Sequence, residues 1–137
     1  MSRHLITVSH TISMGHRLPS YDGICASPHG HNVKVEASFE STTFLDFKKV
    51  QEELRDLLHD FDHAMVLHRK DPLVEVLTDM MFRVVVLSEE PSTEVIAQYL
   101  FDQLYAREYR PACVTVYETE KYSAAVDVFS GMIWRDR

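Results

Sequence analysis

Glycine is scarce in this chain: there are four in 137 residues, and none between Gly30 and Gly131. That gap excludes the glycine-rich phosphate loops of both the P-loop and dinucleotide-binding types, which need several glycines within a few positions. Cysteine is nearly absent as well. Cys25 and Cys113 are the only two, and nothing about them suggests a disulfide framework. No Lys/Arg-rich run occurs, and 14 basic against 21 acidic residues leave a net charge of −7. Such a balance argues against a general nucleic-acid or membrane-surface role. No basic segment with an apolar core opens the chain, and no apolar stretch approaches membrane-spanning length. The expectation is a soluble cytoplasmic protein with neither nucleic acid nor membrane as a partner.

What is present suffices to build one core. Hydrophobic residues make up 45% of the chain, and no repeat, low-complexity segment or linker divides it, so residues 1–137 read as a single domain. Ile6, Val8, His10, Ile12 and Met14 alternate on one face of a first strand, and His16 continues that parity. Val33, Val35, Ala37 and Phe39 alternate against Lys34, Glu36, Ser38 and Glu40 in a second strand. Asp46 precedes Phe47, Val50, Leu54, Leu57, Leu58 and Phe61 at helical spacing, which predicts a capped helix ending near Asp62 and His63. Residues 69–76, with Asp71-Pro72, read as a connector, and 82–87 as a valine-rich third strand. Pro91 and Ser92 open a second helix with Ile96, Leu100 and Leu104 on its apolar face. Residues 113–120 form a strand, with Cys113 at a core position, and 124–129 a short final one. The order β-β-α-β-α-β predicts an α+β domain with a mainly antiparallel sheet.

Chemistry concentrates between Cys25 and His31. His29 and His31, two apart on an extended backbone, point the same way and share the parity of the apolar set. With His16 from the neighbouring strand they offer three inward imidazoles, whose nitrogens need a partner if buried. A metal supplies one. Three protein ligands with an open fourth position suit catalytic zinc, and imidazole with a thiol nearby favours that metal. Cys25 reads as a thiolate base beside the cation or as a small buried hydrophobe; its polar loop favours the former. Asp62 and His63 read as a proton-handling pair or as a charged helix end. Glu118 shares the inward parity of Val114 and Val116, so it needs a partner. A salt bridge satisfies it, and so do the paired N–H donors of a pterin or guanine edge.

Gly23, His29, His31 and Glu36 also match the spacing of the first cupin metal motif. Glu36, however, has the opposite parity to His31, and the glycine-rich second cupin motif is missing. The cupin reading fails.

The residues resemble the 6-pyruvoyltetrahydropterin synthase superfamily. The resemblance rests on His16-Arg17-Leu18, Cys25 with His29-Gly30-His31, Leu45-Asp46-Phe47, Asp62-His63, Pro91-Ser92-Thr93-Glu94 and Tyr117-Glu118-Thr119. The short gap from Cys25 to His29 resembles the 6-carboxy-5,6,7,8-tetrahydropterin synthase (QueD) branch. The resemblance implies a tunnelling fold (T-fold) with an antiparallel four-stranded sheet and two helices inserted between strand pairs. It also implies a homohexamer, a dimer of trimers, with interfacial active sites. His16, His29 and His31 would hold Zn2+; Cys25, Asp62 and His63 would transfer protons; Glu118 would anchor the pterin, with Ser92, Thr93 and Glu94 seating the ring. The implied reaction is zinc-dependent lyase chemistry on 7,8-dihydroneopterin triphosphate. It gives 6-carboxytetrahydropterin, triphosphate and acetaldehyde, a step towards queuosine and related 7-deazaguanines. The alternatives are a pyruvoyltetrahydropterin synthase or related pterin side-chain lyase, and a zinc- and pterin-binding T-fold protein without turnover. A triphosphate on so acidic a chain calls for a local basic rim, for which Arg17 is the candidate.

Overall fold

A computed structural model describes residues 4–41 and 43–128. The alternating pattern at the start of the chain forms β1 (His4–His16) and β2 (His29–Ser41), paired antiparallel from His4↔Ser41 to His16↔His29. Val8, Ile12 and Met14 of β1 and Val33, Val35, Ala37 and Phe39 of β2 are buried on one face. The long helix α1 (Phe47–His59) begins after Asp46, whose carboxylate accepts the Lys48 N–H at 3.0 Å. It buries Val50, Leu54, Leu57 and Leu58 against that face, while Phe47 stays exposed. Burial of such a stripe, rather than intrinsic propensity, supplies most of the stability of a helix this short.

The sheet has six strands, where the sequence pattern predicts five and the resemblance implies four, and there are three α-helices instead of two. β3 (Ala64–His68) coincides with a four-residue apolar run, Ala64–Leu67, separated from the end of α1 by four residues. It pairs parallel with β1, at Met14↔Ala64 and His16↔Val66. The expected connector contains α2 (Leu73–Asp79), which leads into β4 (Val84–Leu87), and β4 pairs parallel with β3. A seven-residue helix shows too little of the 3.6-residue period to be recognised, and Asp71-Pro72 reads locally as a turn. Parallel neighbours require a crossover, which α1 and α2 provide.

The second predicted helix is α3 (Thr93–Ala106), capped by Ser92, whose hydroxyl accepts the Val95 N–H at 3.2 Å. Ile96, Ala97, Leu100 and Leu104 pack into the same core. β5 (Pro111–Tyr117) and β6 (Ser123–Asp127) complete the order β4-β3-β1-β2-β5-β6. β5 ends earlier than expected because the Thr119 hydroxyl accepts the N–H groups of Lys121 and Tyr122 and turns the chain. Phe129, expected in the last strand, lies outside the described residues. Cys113 is only half-buried, its sulfur 3.6 Å from the Thr115 hydroxyl, so it is not the core residue expected.

Candidate metal centre and active site

The register of β1 and β2 builds the centre. His16 stands opposite His29, and His31 opposite Met14, so the three imidazoles gather at one end of the strand pair. Their ring centroids lie 4.6, 5.5 and 5.1 Å apart, and one nitrogen from each falls within 4.8 Å of the others. Gly30 between the two β2 ligands permits this approach, since a Cβ there would stand 3.2 Å from the Met14 carbonyl oxygen.

The protonation pattern suits a cation. His16 Nδ1 lies 2.7 Å from the Pro91 carbonyl, and His29 Nδ1 lies 2.8 Å from that of Ser27. A ring that donates Nδ1–H to a carbonyl keeps the Nε2 lone pair for a metal. His16 Nε2 and His31 Nε2 are buried with no hydrogen-bond partner. Leaving such atoms unpaired costs about 1–3 kcal/mol each, and a coordinated ion removes that cost. Burial, helped by the neighbouring imidazoles, holds the His16 pKa below its ordinary value despite the Pro91 carbonyl and the Glu118 carboxylate. The neutral, ligating form is therefore favoured. Zinc fits this donor set.

Glu118 sits just past β5 and does face inward. Its Oε1 is 3.1 Å from His31 Nε2, off the hydrogen-bond axis, and its Oε2 accepts the Thr93 hydroxyl. Pro91, Ser92 and Thr93 thus bring the start of α3 against the centre, where the helix dipole favours a carboxylate. The Ser92 hydroxyl is committed to capping α3, and Glu94 is exposed in the first turn. The sequence suggested Thr93 and Glu118 separately; their bond to each other, and the Pro91 carbonyl behind His16, carried no local signal.

Cys25 lies in a single 3-10 turn, Ile24–Ala26, half-buried, and is not part of the imidazole cluster. Its carbonyl accepts Leu18 N–H at 2.8 Å, which closes the loop between β1 and β2. Arg17 does not serve the expected basic rim. Its guanidinium clamps buried Asp71 through Nε at 2.7 Å and Nη2 at 3.0 Å, and Nη1 reaches the Ala26 carbonyl at 3.4 Å. Burial alone would raise the Asp71 carboxyl; the Arg17 hydrogen bonds and the Leu73 N–H outweigh it and hold it below the usual range.

Asp62 and His63 form a pair. Asp62 Oδ1 accepts Ser13 N–H and the His63 Nδ1–H, each at 3.0 Å, and His63 N–H donates to the Ser13 carbonyl at 2.6 Å. The Ser13 N–H, followed by burial opposing it and then His63, holds the Asp62 pKa below its ordinary value. His63 has φ 60°, a left-handed conformation unusual for a non-glycine residue. Its side chain is 75% exposed and lines a cleft of about 810 Å³ that includes Ser13, Met65, Met81, Phe82 and Arg83. The pair stands beside Ser13 and outside the three-imidazole group, while His63 lines the same cleft as His29 and His31. Glu36, the rejected cupin ligand, is engaged by Lys34 at 3.1 Å and the Tyr117 hydroxyl at 3.3 Å.

A mixed six-stranded sheet with two long helices on one face and an imidazole cluster where its central strands meet defines a T-fold protein. A profile of the 6-pyruvoyl tetrahydropterin synthase family matches residues 5–128, and the chain belongs to that family. It is 32% identical over 119 residues to a probable 6-carboxy-5,6,7,8-tetrahydropterin synthase of Halobacterium salinarum, covering 82% of this chain and 79% of that one. It is 26% identical over 94 residues to the Aquifex aeolicus 6-carboxy-5,6,7,8-tetrahydropterin synthase, covering 61% and 58%. Among solved structures, an uncharacterized Wolinella succinogenes protein superposes with TM-score 0.80 at 21% identity, over 93% of this chain and 99% of that one. Caenorhabditis elegans 6-pyruvoyl tetrahydropterin synthase superposes with TM-score 0.68 at 21% identity, over 93% and 96%. At these identities the superpositions establish the fold alone. Among the described residues, no helix is long and apolar enough to cross a membrane.

Proposed function

We propose that the chain is a 6-carboxy-5,6,7,8-tetrahydropterin synthase. It converts 7,8-dihydroneopterin triphosphate to 6-carboxytetrahydropterin with loss of triphosphate and acetaldehyde, towards queuosine and related 7-deazaguanines. One observation carries this reading: an imidazole cluster with two unpartnered nitrogens lies beside an inward carboxylate 3.1 Å from one of them. The names of the curated relatives support the same branch.

His16, His29 and His31 would hold zinc, which supplies Lewis acidity to substrate oxygens and acidifies the adjoining C–H bond. Glu118 receives the paired N–H donors of the pterin. A carboxylate oxygen accepts two hydrogen bonds, so the Thr93 hydroxyl leaves both oxygens able to receive them. Ser92 and Glu94 flank the ring at the start of α3. Cys25 takes a proton as thiolate, and His63 exchanges another at Nε2, because Nδ1 is engaged by Asp62. The pterin itself accepts the reducing equivalents. The reading includes a homohexamer of two trimers in which neighbouring copies complete each site, as in the family the sequence resembles.

Incubation of the zinc-loaded protein with dihydroneopterin triphosphate, followed by mass spectrometry, tests the reading. The carboxytetrahydropterin and acetaldehyde are expected, and Cys25→Ala should abolish both. Retention of the three-carbon side chain identifies a pyruvoyltetrahydropterin synthase instead. Equal consumption by wild type and variant, or by neither, removes the catalytic assignment.

A further inference from the structure

We propose that Arg83 is a positioning residue for His63, an inference that rests on the proton-transfer role given to His63 above. Arg83 lies just before β4, in the segment whose sequence shows no catalytic motif. Its Nη2 donates to the His59 carbonyl at 2.6 Å and its Nε to the Asp62 carbonyl at 3.1 Å. These two acceptors bracket the turn that leaves α1 and delivers the pair. The His59 carbonyl belongs to the last turn of the helix, where carbonyls lack intrahelical donors and the dipole is negative. Among the described residues Arg83 has no carboxylate partner, so both of its hydrogen bonds go to this turn.

The turn needs such support. His63 holds a positive φ, a strained conformation for a residue with a Cβ that persists only where surroundings over-determine it. From the β1 side, Ser13 fixes the Asp62 carboxylate and the His63 N–H. From the β4 side, Arg83 fixes the Asp62 carbonyl, and its own carbonyl accepts Met65 N–H at 3.0 Å. The peptide between Asp62 and His63 is thereby held at both edges, which fixes the Nδ1 contact with Asp62 and leaves Nε2 facing the cleft. A planar fork can span two carbonyls in this way; an ammonium has no comparable fixed geometry.

The test reads the imidazole directly. Nitrogen-15 NMR of the full-length protein reports the neutral tautomer of His63, assigned by its loss in His63→Ala. Wild type should be predominantly protonated at Nδ1. Arg83→Ala and the milder Arg83→Gln should shift His63 towards the ordinary Nε2–H form, as should Asp62→Ala, and Arg83→Lys should restore the wild-type state only in part. With substrate, kcat should fall about tenfold in Arg83→Gln while KM changes by less than about a factor of two, since the loss is one of orientation. A tautomer unchanged in both Arg83→Ala and Arg83→Gln overturns the inference, whether thermal stability falls or not. Should Arg83→Ala fail to fold, Arg83→Gln alone decides on the same criterion. A tautomer that shifts in a protein without turnover leaves the positioning intact and removes the proposed reaction instead.

Discussion

At the scale of single residues, the informative atoms are those left without a partner. His16 is 3% exposed and holds its Nδ1 on a backbone carbonyl, yet its Nε2 has nothing to meet. Sequence parity alone placed all three imidazoles on one face, because a strand has only two sides and one was marked by apolar neighbours. It placed Glu118 there too, one residue beyond the strand that defines the face. Parity is silent about what stands across a gap, so neither the Pro91 carbonyl nor the Thr93–Glu118 bond was legible. That bond has a measurable consequence. Thr93→Val removes a hydrogen bond to a charged group, worth about 1.5–3 kcal/mol. KM for the proposed substrate, dihydroneopterin triphosphate, should rise roughly ten- to a hundredfold while zinc content measured by plasma emission stays at the wild-type level. An unchanged KM would show that Thr93 does not orient the anchor.

At the scale of elements, long periodic segments were readable and short ones were not. β1, β2, α1 and α3 each repeat their pattern several times and carry recognisable caps or loops at their ends. β3 and α2 have five and seven residues, too few for a period to declare itself. Besides the β1–β3 ladder, this unread part is held to the rest by the Arg17–Asp71 pair, which ties the end of β1 to the start of α2. Asp71 is inaccessible in its side chain and Arg17 only 22% exposed there, so the pair is far less screened than a surface one. Removing one partner of a buried pair costs about 3–5 kcal/mol, and Asp71→Asn should lower the urea midpoint accordingly. The Asp71 pKa is depressed on folding, so its contribution is complete above the unfolded carboxylate value, about 3.9. It is lost as pH falls through the lower folded value. Denaturation curves in this acid range should therefore be flatter with pH for Asp71→Asn than for wild type; parallel curves would refute the assignment.

At the scale of the whole molecule, the question is which copy's Asp62–His63 pair would serve a given imidazole cluster, since His63 shares a cleft with His29 and His31 but is bonded to Asp62 and Ser13. Assembly answers it if one copy supplies the cluster and the next supplies Asp62 and His63. Complementation checks this without a structure of the assembly. Cys25→Ala and His63→Ala should each lose most turnover as separate samples. When the two are unfolded and refolded together, mixed assemblies should recover activity, because some interfaces then carry an intact set of groups. Failure to recover, with sedimentation showing mixed oligomers, would confine each site to one chain.

The uninterrupted pairing of β1 with β2 also decides where this chain tolerates changes of length. The thirteen rungs from His4↔Ser41 to His16↔His29 contain no bulge that could absorb an extra residue. Deleting one residue within either strand turns the residues on one side of the cut to the opposite face, and deleting two moves His16 about 7 Å from its partner. Neither error is repairable by a neighbour. Between residues 17 and 28 strand register imposes no such rule, and the constraints are local: the Leu18 N–H on the Cys25 carbonyl, Arg17 on the Ala26 carbonyl and the Ser27 carbonyl behind His29. An inserted or deleted residue is thus absorbed more readily between residues 19 and 24 than in the strands, while the distance from His16 to the core remains frozen in integer steps.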